Sequence, residues 1–218
     1  HIDTEGNVAL NTPIAGDDML NATEAAQGLT LTGTAEAGST VVVEMMGVTR
    51  TVTATSAGTW AATYAAAEIP PGEYDATINV TATDGVGNVS TTSSVMRVDT
   101  STLVGLDAPI AGDDMINAAE AAGGVTLTGM AEAGAMVQVT LEGATRLVTA
   151  AQDGSWSASF TTADIPAGTY QAAVTVTATD PAGNTATTRA TVNVDTEIGV
   201  AVDAGQAGGD DIINAAEA

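Results

Sequence analysis

The sequence contains no cysteine and only one histidine, His1. Without cysteine the chain has no disulfide bond, no thiol chemistry and no thiolate metal site. A single histidine excludes the Ser/His and Cys/His pairs of nucleophilic catalysis, and it disfavours zinc as a bound metal. Phosphate-binding glycine loops and the G-x-S-x-G motif are also missing. We therefore expect that the protein is not an enzyme.

Basic residues are nearly as scarce. Four Lys and Arg stand against 27 Asp and Glu, which gives a formal net charge of −23. Nucleic acids and anionic membrane surfaces attract clustered Lys and Arg, so neither is an expected partner. No apolar run approaches the roughly 18 residues that a membrane span needs, so no membrane insertion is expected. A charge this large favours the binding of counter-cations.

Aromatic residues make up only 3% of the chain, although hydrophobic residues make up 44%. The core must therefore be built from valine, alanine and a few large side chains. A chain with few aromatics and no disulfides needs another source of rigidity, and a bound metal is one candidate.

The chain repeats itself every 96 residues, since Asp3-Thr4 recurs as Asp99-Thr100 and again as Asp195-Thr196. Trp60 and Trp156 keep the same spacing. A long fixed period indicates an array of similar domains. We predict one domain over residues 1–98, a second over 99–194, and the truncated start of a third over 195–218. The chain thus resembles a piece of a longer protein, and no signal peptide is visible at its start.

Alternating polarity dominates each repeat. In the segment from Tyr170 to Asp180, Tyr170, Val174 and Val176 alternate with glutamine, alanine and threonine residues. This period of two is typical of a strand with one buried face, and glycine-containing turns separate about seven such runs per repeat. The fold class predicted is all-β, with tandem immunoglobulin-like antiparallel β-sandwich domains. Trp60 and Trp156 lie in phase with the buried residues, which favours a core role over sugar stacking.

A short acidic stretch occurs three times, as GDDMLNATEA from Gly16, GDDMINAAEA from Gly112 and GDDIINAAEA from Gly209. In an antiparallel sandwich it would connect the first two strands at one end of the domain, whereas DGVGN (Asp84–Asn88) would connect the last two at the opposite end. Stacking two domains would therefore bring acids from both ends, and from the linker, to one junction. Glu132, in the turn after the second strand, would lie at the same place.

Carboxylate and amide oxygens are the ligands that Ca²⁺ takes in groups of six to eight, whereas Mg²⁺ prefers fewer carboxylates. The sequence therefore predicts Ca²⁺ bound at the domain junctions. An alternative stays open, because Asp and Asn also favour turns and helix caps, and each stretch could serve only locally. The candidate metal ligands predicted for the junctions are Asp3, Asp17, Asp18, Asn21, Glu24, Asp84, Asn88, Asp99, Asp113, Asp114, Asn117, Glu120, Asp180, Asn184 and Asp195.

These motifs resemble a known family. GDDMLNATEA, TDGVGN and MRVDT in the first repeat, and GDDMINAAEA, TDPAGN and VNVDT in the second, are similar to bacterial immunoglobulin-like repeats of giant biofilm-associated adhesins of the repeats-in-toxin type. The resemblance implies an extender region, stiffened by interdomain Ca²⁺, that projects a distal ligand-binding region from the cell. It also implies an extracellular location at the bacterial surface after type I secretion, with neighbouring repeats of the same chain as partners.

Two other functions remain open. Each sandwich could itself bind a glycan or a protein, or parallel copies could associate with one another. Paired carboxylates can also hydrolyse glycosides. However, the acids recur identically in every repeat and lie at predicted domain ends, where no cleft is expected.

Overall fold

The computed structural model describes residues 6–199. Residues 6–99 form eight strands: β1 (Val8–Leu10), β2 (Met19–Leu20), β3 (Leu29–Ala35), β4 (Thr40–Met45), β5 (Val48–Thr53), β6 (Thr59–Tyr64), β7 (Glu73–Thr83) and β8 (Val89–Asp99). A six-residue helix, α1 (Ala22–Gln27), follows β2, and a 3-10 turn spans Ala66–Glu68. The strands pair in the orders β1-β3-β6 and β2-β8-β7-β4-β5, which form the two layers of a sandwich.

The second domain repeats this plan after the linker. Its strands are β9 (Met115–Asn117), β10 (Val125–Met130), β11 (Met136–Leu141), β12 (Ala144–Thr149), β13 (Ser155–Phe160), β14 (Thr169–Thr179) and β15 (Thr185–Asp195). Helix α2 (Ala118–Gly123) follows β9, and 3-10 turns span Ile110–Gly112 and Thr162–Asp164. The sheets have the orders β10-β13 and β12-β11-β14-β15-β9. The predicted tandem all-β sandwich is confirmed.

One pairing in each domain differs from the antiparallel scheme expected from sequence. Strands β2 and β8 are parallel, as are β9 and β15. The chain leaves β1 in one sheet and joins the other sheet as β2, beside the last strand of the domain. The acidic stretch is therefore not a simple loop, because it contains a short strand and a helix.

Each domain has its own hydrophobic core, made from residues of one repeat. Trp60 is 3% exposed and Trp156 is 4% exposed, so the predicted core role of both is confirmed. Trp60 packs over Gly33 of the neighbouring strand, where a Cβ atom would stand 2.5 Å from the indole ring. Gly129 and Trp156 repeat this contact at the same distance. A glycine opposite the indole is what lets a large side chain fit a core of small residues.

In each domain an arginine side chain lies between the edge strands of the two sheets, which are β5 and β6 in the first domain and β12 and β13 in the second. The Arg50 guanidinium donates to the carbonyl oxygen of Thr63 at 3.1 Å, pairs with Glu68 and lies 5.2 Å from the Tyr64 ring centre. In the second domain Arg146 makes the equivalent contacts with Ser159, Asp164 and Phe160. Two of the chain's four basic residues thus stabilise the same position in the two repeats.

Candidate metal centre at the domain junction

The two adjacent aspartates of the acidic stretch form a turn. Asp18 adopts a left-handed conformation with φ of 65°, and its Oδ1 accepts the backbone N–H of Ile14 at 2.7 Å. Asp17 Oδ1 accepts the N–H of Met19 at 3.0 Å. Asp114 and Asp113 make the same two bonds in the second domain. Asp tolerates this conformation better than most residues, which accounts for its place in the turn.

The amide and the glutamate of the stretch cap the helix that follows. Asn21 Oδ1 accepts the N–H of Glu24 at 3.0 Å, and Glu24 Oε2 accepts the N–H of Asn21 at 3.0 Å. Asn117 and Glu120 form the same capping box ahead of α2. Such a box satisfies backbone donors that a helix leaves free at its start. Asp17, Asp18, Asn21 and Glu24 therefore each have a local structural role, and so do their counterparts in the second domain.

The turn at the opposite end of each domain is also internally bonded. In the first domain, Asp84 Oδ1 accepts the N–H groups of Val86, Gly87 and Asn88, and its Oδ2 accepts the Asn88 side chain at 2.7 Å. Burial disfavours the charged form of Asp84, but these hydrogen bonds outweigh burial and hold its pKa below the usual value. Asp180 and Asn184 build the corresponding turn in the second domain.

Three carboxylates converge where the two domains meet. One oxygen each from Glu73, Asp99 and Glu132 lies within 4.8 Å of the others, and this is the only such acidic group in the described residues 6–199. Glu73 begins β7 and Asp99 ends β8, directly opposite each other in the antiparallel pair. Glu132 comes from the turn between β10 and β11. The group therefore takes ligating atoms from both domains.

The electrostatics of this group are unfavourable without a cation. Asp99 is 5% exposed, and burial raises its pKa, with the charges of Asp180 and Glu73 adding to the effect. Burial likewise raises the pKa of Glu132, and the nearby charges of Asp99, Asp180 and Glu73 contribute further. Arg97 is the basic neighbour, but its guanidinium pairs with Glu73 at 3.2 Å and Asp75 at 3.6 Å on the exposed side.

The donor set fits a hard divalent cation. All three groups are carboxylates, which Ca²⁺ accepts in variable number and geometry, whereas Zn²⁺ favours nitrogen and sulfur. The Thr102 hydroxyl in the linker lies beside Glu132, and its hydrogen bond to that carboxylate only partly offsets the effect of burial on the pKa of Glu132.

The predicted ligands lie in different parts of the structure. Asp99, Asp180 and Glu132 lie at the junction, as expected, and Asn184 lies beside them. The acidic stretch reaches the junction at Ala22, whose backbone N–H bonds Asn184. The carboxylates of Asp17, Asp18 and Glu24 bond locally and are not part of the three-carboxylate group, so their ligand roles stay predictions. At the far end of the second domain, Asp195 accepts the hydroxyl of Thr169 at 3.0 Å. Asp3 and the third copy of the motif lie outside the described residues.

Sequence reasoning missed Glu73. A usable signal was present, because Glu73 opens a long strand and Asp99 closes the next one. Antiparallel neighbours place the start of one strand beside the end of the other, so the pairing alone puts the two acids at the same end. The second repeat has Thr169 at the equivalent position, so the periodic pattern itself gave no sign of it.

The aromatic residues offer little for a binding function. Trp60, Trp156, Tyr64 and Phe160 are each at most 4% exposed. The half-buried Tyr74 and Tyr170 use their hydroxyls to bond the carbonyl oxygens of Pro70 and Pro166. Glycan recognition by stacking needs an exposed aromatic face, which the four buried side chains do not provide. Among the described residues, no helix is long and apolar enough to cross a bilayer.

Comparison with known proteins finds bacterial immunoglobulin-like domains and adhesins. A family model for bacterial Ig domains matches residues 15–99, and one for bacterial Ig-like domains matches residues 110–196. A structure from a 1.5-MDa bacterial ice-binding adhesin is 27% identical, with a TM-score of 0.53, and the match covers 88% of this chain and 65% of that one. A Ca²⁺-stabilised adhesin with which an Antarctic bacterium binds ice is 34% identical, with a TM-score of 0.51 and coverage of 98% and 55%.

A single immunoglobulin-like domain from the M. primoryensis ice-binding adhesin is 31% identical, with a TM-score of 0.34, and the match covers 45% of this chain and all of that domain. No curated protein matches the chain. The chain spans about two thirds of the first adhesin structure and about half of the second.

Proposed function

We propose that this chain, which belongs to the family of bacterial immunoglobulin-like domains, is a structural spacer in a bacterial cell-surface adhesin and carries Ca²⁺ at its domain junction. The observation that carries the proposal is the group of Glu73, Asp99 and Glu132, which is drawn from two domains and combines the buried Asp99 with two further acids. The likeness to a Ca²⁺-stabilised adhesin supports the same assignment.

The fold suits a spacer. Strands β7 and β8 each contain 11 residues, which at roughly 3.3 Å per residue makes a domain about 36 Å long. Domains joined end to end add this length with every repeat, so reach grows with repeat number. The partners in this role are the neighbouring repeats of the same chain, and the location is extracellular, where millimolar Ca²⁺ is available.

Glu73, Asp99 and Glu132 would hold the ion, and the charge of Asp180 lies close enough to contribute. Bound Ca²⁺ would supply positive charge that links carboxylates of both domains. Extracellular calcium modules bind in the range of roughly 10⁻⁴–10⁻³ M. The ligand roles of Asp17, Asp18, Glu24 and the other acids of the repeated motif stay predictions.

The test is a thermal melt of the chain in EDTA, in about 5 mM CaCl₂ and in the same concentration of MgCl₂. A ligand that binds only the folded state at these affinities stabilises it by about 1–2 kcal/mol. We expect a calcium-specific rise in Tm, and we expect the double variant Glu73→Gln/Glu132→Gln to lose it. An equal response to both metals, or a full response in the double variant, would refute the site.

A further inference from the structure

Asn184 connects the two domains directly. Its Oδ1 accepts the backbone N–H of Ala22 at 2.8 Å, and its Nδ2 donates to the carbonyl oxygen of Asp99 at 3.0 Å. The side chain is also tied into its own turn through Asp180 Oδ2 at 2.8 Å. In the part of the chain that the structure describes, the hydrogen bonds between residues 6–99 and 103–199 all use this side chain.

The orientation of the Asn184 amide follows from its partners. The oxygen faces an N–H donor, and the nitrogen faces three oxygen acceptors, which are two from Asp99 and one from Asp180. Reversing the amide would set donor against donor and acceptor against acceptor, so only one orientation is compatible with the site. The partner N–H belongs to Ala22, the first residue of α1, where a helix leaves its backbone donors free. Asn184 thus satisfies a donor of the other domain at a residue that is only 8% exposed.

The first repeat contains the same turn without the interdomain contact. Asn88 occupies the position equivalent to Asn184 and makes the same two bonds to its own aspartate, at 2.8 Å and 2.7 Å. Within residues 6–199, Asn88 makes no hydrogen bond to another domain. The turn therefore forms without an interdomain partner, and the bonds from Asn184 to Ala22 and Asp99 are additional to it.

We propose that Asn184 is a pin between the domains that needs no cation, and that it sets their relative orientation before any ion binds. This goes beyond the proposed spacer function, because it gives Asn184 a positioning role in place of the ligand role predicted from sequence. Removing Ca²⁺ would then leave the junction docked through the Asn184 contacts, with the relative orientation of the domains retained.

Because the chain has no cysteine, spin labels can be attached at introduced cysteines without removing any native thiol. Spin labels at Thr51→Cys and Leu147→Cys, two equivalent and exposed strand positions, would report the interdomain distance distribution by pulsed electron paramagnetic resonance. We expect Asn184→Ala to broaden the distribution in EDTA at least twofold. Asn88→Ala is the matched control, because it removes the same side-chain bond from the turn of the first domain, and we expect it to leave the distribution unchanged.

A second pair of variants covers the case in which Asn184→Ala does not fold. Ala22→Pro removes only the N–H that Asn184 accepts, and proline is well tolerated at the first position of a helix. Ala118→Pro makes the same change at the start of α2, whose N–H lies at the opposite end of the second domain. We expect broadening for Ala22→Pro and none for Ala118→Pro.

The outcomes separate the pin from the calcium site. If Asn184→Ala and Ala22→Pro both give the wild-type distribution in EDTA, the proposal that Asn184 fixes the domain orientation is wrong, whether or not Ca²⁺ binds. The proposal is also wrong if the wild-type protein in EDTA already shows a distance distribution as broad as that of Asn184→Ala. Conversely, Glu73→Gln/Glu132→Gln should abolish the calcium response of the melt and leave the EDTA distribution narrow, since it does not touch the Asn184 contacts.

Discussion

The carboxylates of Asp99 and Glu132 belong to different domains and lie within 4.8 Å of each other. Burial raises the pKa of both groups, and the charges of Asp180 and Glu73 add to the effect at each, so the ionised forms oppose docking of the two domains near neutral pH. Either a bound cation or a neutral substitution at this junction should therefore relieve the repulsion and stabilise the protein.

Replacing Glu132 by glutamine removes one of these charges and keeps the size of the side chain. We expect Glu132→Gln to raise Tm in EDTA by about 2–4 °C, because repulsion is relieved, and to reduce the rise that Ca²⁺ produces. Glu36→Gln is the matched control, since Glu36 holds the same position in the first repeat but is exposed. Loss of stability in EDTA for Glu132→Gln, or equal behaviour of the two variants, would contradict the repulsion argument.

The next junction along the chain has a different composition. Thr169 replaces Glu73, Asn193 replaces Arg97, and Asp195 retains the position of Asp99. We expect Glu73→Thr, which copies the second repeat into the first, to weaken the calcium dependence of Tm by at least threefold in midpoint concentration. A calcium titration of the melt measures this. An unchanged midpoint would show that Glu73 is not a ligand.

Much of the fold could be predicted from local pattern. Alternating polarity along Tyr170–Asp180 gave the strand and its buried face, and the phase of Trp60 and Trp156 gave their core positions. These features depend on neighbours in sequence, because a strand exposes alternate residues whatever it pairs with.

Features that depend on distant pairing could not be predicted in this way. Strand β2 has two residues, too few for any period, and its parallel partner β8 lies almost 80 residues later. The junction acids show the same limit. Linker position placed Asp99 correctly, whereas the local hydrogen bonds of Asp18 and Glu24 and the cross-strand position of Glu73 follow only from three-dimensional pairing.

The arginine between the edge strands of each sandwich should stabilise its own domain. Arg50→Ala removes a hydrogen bond to a strand edge, an ion pair and a cation–π contact, which together are worth about 1–2 kcal/mol. We expect this loss in the free energy of unfolding of the first domain, and a similar loss in the second for Arg146→Ala. Arg189→Ala, at an exposed strand position that carries no ion pair in the described residues, should change stability by less than about 0.5 kcal/mol.

The ion pair between Arg50 and Glu68 predicts that the stability of the first domain depends on pH. A hydrogen bond from Arg50, together with one from the backbone N–H of Ala65, lowers the pKa of Glu68. A lowered folded-state pKa means that the contribution is fully present above the ordinary value of about 4 and is lost as the pH falls through the folded value. We expect Glu68→Gln to be less stable than wild type at pH 7 and to lose less stability than wild type between pH 5 and pH 2. Parallel pH profiles of the two would contradict this, and Glu36→Gln controls for removal of a carboxyl from the same domain.

The close approach of Gly33 to Trp60 gives the sharpest test of the core. A Cβ on Gly33 would stand 2.0 Å from the carbonyl oxygen of Ala9 and 2.5 Å from the indole, and neither backbone nor a buried ring can move aside freely. Forcing extra volume into a packed core costs about 1–3 kcal/mol, so we expect Gly33→Ala to lower the free energy of unfolding by at least this much and to change the near-ultraviolet signal of the indole. Gly85→Ala adds the same methyl group where no heavy atom lies within 4 Å, and it should cost less than about 0.5 kcal/mol. If both variants unfold alike, the fit between glycine and tryptophan does not determine how this aromatic-poor core is packed.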